Sequence, residues 1–265
     1  VANAGSIGAS SAYGFAAGVV AAGYSVDVSN RGDIDVAAAG GADASTVASG
    51  IYAYAYYAAH VANKHDITVA SASGLADGIF ASGSDVDVVN FAHGTIDATG
   101  FDWAAGIEAQ GYNSAEVLNK GSITTTATAN AQGGPYGHAY GIYATGGDGG
   151  VSVRNTGTGS ITAIGPFATG IRAYDGTGGA VSIINGGSIV ASDTGSGAPY
   201  YGVAVGIDAI ANEGGSAAVS NSGAINASGY YGGTAIRATA AGVGAGATVH
   251  NSGTLYAVST PDGKY

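Results

Sequence analysis

The chain has 265 residues, 49 of them glycine, with no cysteine, a net charge of −11 and only seven Lys plus Arg. So few cations exclude the phosphate-neutralising stripe of a nucleic-acid binder and disfavour docking on an anionic membrane. The lack of Cys removes disulfide frameworks and thiolate metal sites, and no apolar run approaches the roughly 18 residues that cross a bilayer.

From the N-terminus onward one motif recurs nine times. It begins as Val1-Ala-Asn3-Ala-Gly5-Ser-Ile7 and Val28-Ser-Asn30-Arg-Gly32-Asp-Ile34, and ends as Val219-Ser-Asn221-Ser-Gly223-Ala-Ile225 and Val249-His-Asn251-Ser-Gly253-Thr-Leu255. The other copies centre on Asn63, Asn90, Asn119, Asn155 and Asn185. Asn3 to Asn251 spans 248 residues over eight intervals, a mean repeat of 31 residues. Between these copies lies a second motif, Ala-x-Gly-Ile-x-Ala or its Val variant, at 16–21, 48–53, 76–81, 104–109, 139–144, 168–173 and 204–209. An eighth copy, Ala235-Ile236-Arg237-Ala238, carries Ala in place of Gly.

Each repeat thus contains three short alternating stretches, Gly-Ile-x-Ala, Val-x-Val-x-Asn and Gly-x-Ile-x-Ala, and period-two alternation bounded by Gly and Asn marks half-buried strands. A fixed period of this size predicts an array. The expected fold is all-β: a right-handed parallel β-helix of about nine coils, three short strands per coil, forming one domain over 1–265. Inward Ile, Val and Ala stack on their equivalents about 4.8 Å away. Asn at a sharp bend tolerates the left-handed region and offers its amide along the stack, and the Gly that follows suits a positive φ. His65 stands where that Gly should be, which predicts strain or a changed turn. Insertions at 37–47, 125–138 and 191–203 all fall at one corner, and so at one edge of the rod, a candidate binding edge.

The residue between Ile and Ala in the second motif must point outward. Its column contains Glu108, Arg172, Asp208 and Arg237, a charged ladder expected to form weak ion pairs on a solvated face. Aromatic residues concentrate beside the variable corner: Tyr13, Phe101, Tyr136, Tyr201 and Tyr230 lie five positions before the motif Gly or its substitute, with Phe15, Trp103, Tyr140, Phe167, Tyr200 and Tyr231 nearby. The stretch Ile51-Tyr52-Ala53-Tyr54-Ala55-Tyr56-Tyr57 places Tyr52, Tyr54 and Tyr56 on one side of a strand. Tyr and Trp supply large amphipathic contact area and are enriched in recognition surfaces; the competing reading is that the rings cover backbone at the corner. Asp33/Asp35 and Asp85/Asp87 have strand spacing, which permits repulsion or a hard cation. His60, His65, His93 and His138 read as surface residues. No catalytic residue, metal site or cofactor is expected.

Tandem Val-x-Asn-x-Gly-x-Ile-x-Ala alternating with Ala-x-Gly-Ile-x-Ala, rich in Gly and Ala and free of Cys, resembles the passenger domain of bacterial autotransporters over nearly the whole chain. The resemblance implies a segment of a longer passenger, exported through the periplasm and outer membrane and displayed at the cell surface. It implies adhesion as the role, with another copy on a neighbouring cell, or a host glycan, matrix component or receptor, as partner. The alternative expectation is a β-helical polysaccharide-binding or polysaccharide-cleaving enzyme.

Overall fold

The computed structural model describes residues 1–40, 46–128, 137–194 and 202–259. Among them the chain is all-β and climbs one layer per repeat, every strand pairing in parallel with its equivalents above and below. Layer 1 holds only Ala2–Asn3 and Ile7–Ser11. Eight further layers follow, each beginning in turn at Phe15, Val47, Leu75, Trp103, His138, Phe167, Val203 and Gly233.

In layers 2–5 the first two expected strands run together as one bent strand: Phe15–Asn30, Val47–Asn63, Leu75–Asn90 and Trp103–Asn119. From layer 6 they separate, as in His138–Gly146 and Gly150–Asn155. The cause is a longer Gly-rich turn at this second corner, where Gly150, Gly178, Gly214 and Gly242 adopt positive φ. The expectation that all insertions gather at one corner is therefore corrected. The third strands, such as Ile34–Ala38 and Ile67–Ser71, form a separate nine-stranded sheet.

The two sequence motifs are halves of one packing device. In the first segment Val19, Ile51, Ile79, Ile107, Ile142, Ile171 and Ile207 stack in register and lie within the core. In the third segment Ile34, Ile67, Ile96, Ile123, Ile161, Ile189 and Ile225 do the same. A Cβ on the motif Gly would strike the γ-methyl of the third-segment Ile in its own layer, Gly141 against Ile161 and Gly170 against Ile189 among them. It would also press on the carbonyl of the next layer's Gly, 2.6 Å away at Gly141 and 2.7 Å at Gly106. One Ile thus fills the space its partner Gly leaves, which gives the interior crystal-like packing with small side chains. Ala235 takes the Gly position in layer 9, where the third segment has Leu255 in place of Ile.

The recurrent Asn is fully buried from Asn30 to Asn221 and forms an uninterrupted amide ladder. Each Nδ2 donates to the Oδ1 of the next Asn at 2.6–2.9 Å, from Asn3 to Asn30 and on to Asn251. This satisfies buried polar groups that would otherwise cost about 1–3 kcal/mol each. Neither Asn nor its following Gly has a positive φ; among the described non-glycine residues only Glu213 does. The Gly is required for closeness instead: a Cβ on Gly32, Gly223 or Gly253 would run into the backbone of the turn in the layer below. His65 shows neither left-handed strain nor a longer turn; its exposed ring bonds Asp33 at 2.6 Å. The longer turns are elsewhere, after Asn90 and Asn155, where Gly94 N bonds Phe91 O and Gly159 N bonds Thr156 O.

Candidate functional site

The interior is filled by aliphatic residues, so the side chains that distinguish one layer from another face outward. On the first segments they form columns at strand spacing, each in register from layer to layer. The column of Gly-Ile-x-Ala reads Val20, Tyr52, Phe80, Glu108, Tyr143, Arg172, Asp208 and Arg237, as expected.

In layers 2–4 this face is aromatic. Phe15 meets Tyr52 edge-on with ring centroids 5.7 Å apart, and Tyr52 stacks on Phe80 at 4.9 Å. Past them an irregularity in the pairing of layer 3 with its neighbours, between Tyr54 and Ala58, turns more tyrosines outward. Tyr24 stacks against both Tyr56 and Tyr57, at 5.7 and 5.8 Å. Tyr54, Tyr56, Tyr57, Ser84 and Tyr112 line an open cleft of about 430 Å³. Ala53 and Ala55 are buried while Tyr54 and Tyr56 are 47% and 77% exposed, so the alternation expected for this strand holds. Tyr24, Tyr57 and Tyr112 were not singled out by the sequence, because they lie off both motifs at a corner whose register shifts.

Layers 4–7 carry a second cluster. Trp103 packs against Tyr140 at 4.7 Å, Tyr143 at 5.5 Å and His138 at 6.2 Å, and His138 stacks on Phe167 at 5.1 Å. Tyr140 is buried on this outer surface, 5% exposed, which the corner-covering reading of the aromatics does not explain. Beside Trp103 lie two carboxyls on adjacent layers, Asp77 and Glu108, 7% and 8% exposed. Burial raises both above the ordinary carboxylate range; repulsion by Glu108 raises Asp77 further, while hydrogen bonds from Gln110 and Trp103 partly restrain Glu108. Asp77 Oδ1 has no hydrogen-bond partner. Burial likewise pushes the Tyr140 and Tyr143 phenols up and the His138 imidazole down.

The charged ladder pairs as expected, but its Asp208 carboxylate is not solvated. Arg237 holds Asp208 through two 2.7 Å bonds, Nε to Oδ1 and Nη2 to Oδ2. Arg172 Nε approaches Asp208 from the other side at 3.9 Å, and Asp208 is 1% exposed. Glu108 stands apart from this triad, with Tyr143 between it and Arg172. The weak-pair expectation is thus corrected: paired long side chains exclude water from the carboxylate between them. Asp77 was missed because it fills the first variable position of Ala-x-Gly-Ile; reading that position as a second outward column would have shown it.

Of the remaining expected residues, Phe101 is half-buried beside the Trp103 cluster, and Tyr230 and Tyr231 pack edge-on at 4.6 Å near layers 8 and 9, apart from the others. Tyr136, Tyr200 and Tyr201 lie outside the described residues, as do parts of the 37–47, 125–138 and 191–203 insertions. Asp85 accepts from Asn113 and Ser114 while Asp87 bonds His60, so that pair does not act as one site. No protein-family model, curated protein or solved structure matches the chain.

Proposed function

We propose that this chain is the binding rod of a surface-displayed bacterial adhesin of the autotransporter-passenger type, acting outside the cell and recognising its partner through the outer face of layers 2–6. One observation carries the reading: tyrosines and a tryptophan cover the outside of a sheet whose inside is already filled. Rings such as Tyr24, Tyr54, Tyr56 and Tyr112 contribute nothing to the core, yet expose large apolar area in one contiguous region. Such patches on a soluble surface mark interaction sites, and Tyr and Trp are the residues that dominate binding energy there. The partner is either a host glycan, matrix or receptor surface, or another rod.

The test is adhesion and aggregation of cells displaying the chain. Replacing Tyr52, Tyr54 and Tyr56 together with Ser is expected to lower attachment by roughly tenfold or more, since each lost ring costs about 1 kcal/mol or more, with circular dichroism unchanged. Undiminished attachment would remove the tyrosine face from the proposal.

A polysaccharide-cleaving enzyme is the second reading, favoured by the Asp77–Glu108 pair beside Trp103. Two features weigh against it. The carboxyls are nearly closed to solvent, and they stand close enough to repel one another, whereas glycosidase pairs stand about 5–9.5 Å apart to admit sugar or water. Cleavage of a polysaccharide that is lost on Asp77→Asn would revive it.

A further inference from the structure

On the second segments of layers 2–5 three outward columns lie side by side. The first stacks Asp27, His60, Asp87 and Glu116; the next, two residues on, stacks Ser29, Ala62, Val89 and Leu118. The third follows each ladder Asn and holds Arg31, Lys64, Phe91 and Lys120. Backbone bonds of 2.8–2.9 Å keep it in register: Arg31 N to Asn3 O, Lys64 N to Asn30 O, Phe91 N to Asn63 O and Lys120 N to Asn90 O. An acidic stripe and a basic stripe therefore run along the rod about 13 Å apart, with a small-to-apolar stripe between them. The basic stripe gathers three of the seven cations of a chain whose net charge is −11. Both lysines converge on the Phe91 ring, 4.8 and 5.7 Å from its centroid. Among the described residues neither Arg31, Lys64, Lys120, Asp27 nor Glu116 has a salt bridge.

We propose that this face binds a second copy of the chain, the two rods lying side by side and parallel. The orientation follows from symmetry, given the reading of the chain as a binding rod. A two-fold axis along the rod, lying in the interface, exchanges the outer stripes, so each acidic stripe meets the basic stripe of the other copy. It keeps layers level: Asp27 faces Arg31, Glu116 faces Lys120, and Asp87 faces the Lys64–Phe91–Lys120 cluster. Val89 and Leu118 then meet their own counterparts on the axis. An antiparallel pairing sets acid against acid and base against base, and is refused by the same charges. Rods projecting from one cell are parallel, so this contact clusters copies on a single surface and leaves the aromatic face of the first segments free. The strip is short, well below the roughly 800 Å² per partner of a stable interface, so pairing is weak in solution and strengthened by multivalent display.

Sedimentation velocity of purified chain over a hundredfold range of concentration, up to about millimolar as a weak interface requires, is expected to show a reversible dimer. Lys64→Glu with Lys120→Glu should be monomeric, as should Asp87→Lys with Glu116→Lys; an equimolar mixture of the two should dimerise again, because each then complements the other. In a chain without other cysteines, Ser29→Cys and Leu118→Cys, at the two ends of the middle stripe, should each link to itself through a short bismaleimide. A monomeric parent, a mixture that stays monomeric, or linkage only between the two different cysteine variants would overturn the proposal. Attachment lost in the tyrosine variant leaves this result untouched, so the two readings fail separately.

Discussion

At the scale of single residues, the outer surface holds a carboxyl whose ionisation is opposed by burial. Asp77 and Glu108 both titrate above their ordinary values because burial disfavours their charged forms. A raised carboxyl contributes its full stability below the ordinary carboxylate range, and that contribution is lost as pH rises through the folded value. Asp77→Asn keeps the shape and cannot ionise, so it is expected to stabilise the rod at neutral pH by about 1–3 kcal/mol, the scale of one unsatisfied buried polar group. Thermal unfolding at pH 4 and pH 8 checks both signs: the parent should melt lower at pH 8, and the variant should lose most of that difference. A variant that melts below the parent at pH 8 would show that the ionised carboxyl stabilises the fold. Of this pair the repeat pattern singled out only Glu108. The variable positions of a motif look free one repeat at a time, and the stacking of layers brings Asp77 against Glu108 beside the Trp103 indole of Glu108's own strand.

At the scale of one layer, the fold was legible because its elements obey a local rule with few exceptions. The period-two alternation placed Ile142 inward, and the structure buries it completely between Ile107 and Ile171. Ile142→Asp sets an unpaired carboxylate in that column and is expected to cost more than about 4 kcal/mol. Loss of the cooperative melt by circular dichroism checks it; a normal melt would mean that this column can open to water. The reason for each Gly was less legible. Sequence shows that Gly recurs at a position, and a tight turn is the usual cause. At Gly32 the cause is the layer below, and at Gly141 it is Ile161 across the interior, neither of which is close in sequence. The same limit hid the fusion of the first two strands in layers 2–5, since the three separate strands expected per coil appear only where the Gly-rich turn between them lengthens, from layer 6.

At the scale of the whole rod, chemistry and scaffold separate along the axis. Layers 2–5 carry the tyrosine cleft, the Asp77–Glu108 pair and both charged stripes, whereas the second segments of layers 6–8 mostly present Ser, Ala and Ile outward. A stack in which each layer touches only its neighbours has stability close to a sum over layers and interfaces, so whole repeats are removable where the cut joins equivalent positions. Asn155 and Asn185 are such equivalents, paired in register and bonded amide to amide at 2.8 Å. Deleting residues 156–185 joins Asn155 to Gly186, removes layer 7's Arg172, and brings Tyr143 beside Asp208, which keeps its bidentate Arg237. The shortened rod is expected to fold with unchanged strand signature per residue and to retain adhesion when displayed on cells. Deleting residues 64–90 joins Asn63 to Phe91 by the same rule, but removes Asp77, Phe80, Ser84 and Asp87, and with them the ring that stacks on Tyr52 and the Ser84 part of the cleft lining. That rod should also fold, yet attach roughly tenfold or more weakly, the loss expected when a cluster of aromatic anchors is broken. Equal adhesion by both shortened rods would place recognition outside layers 2–5; loss of folding in both would mean that the layers are not the independent units their parallel register implies.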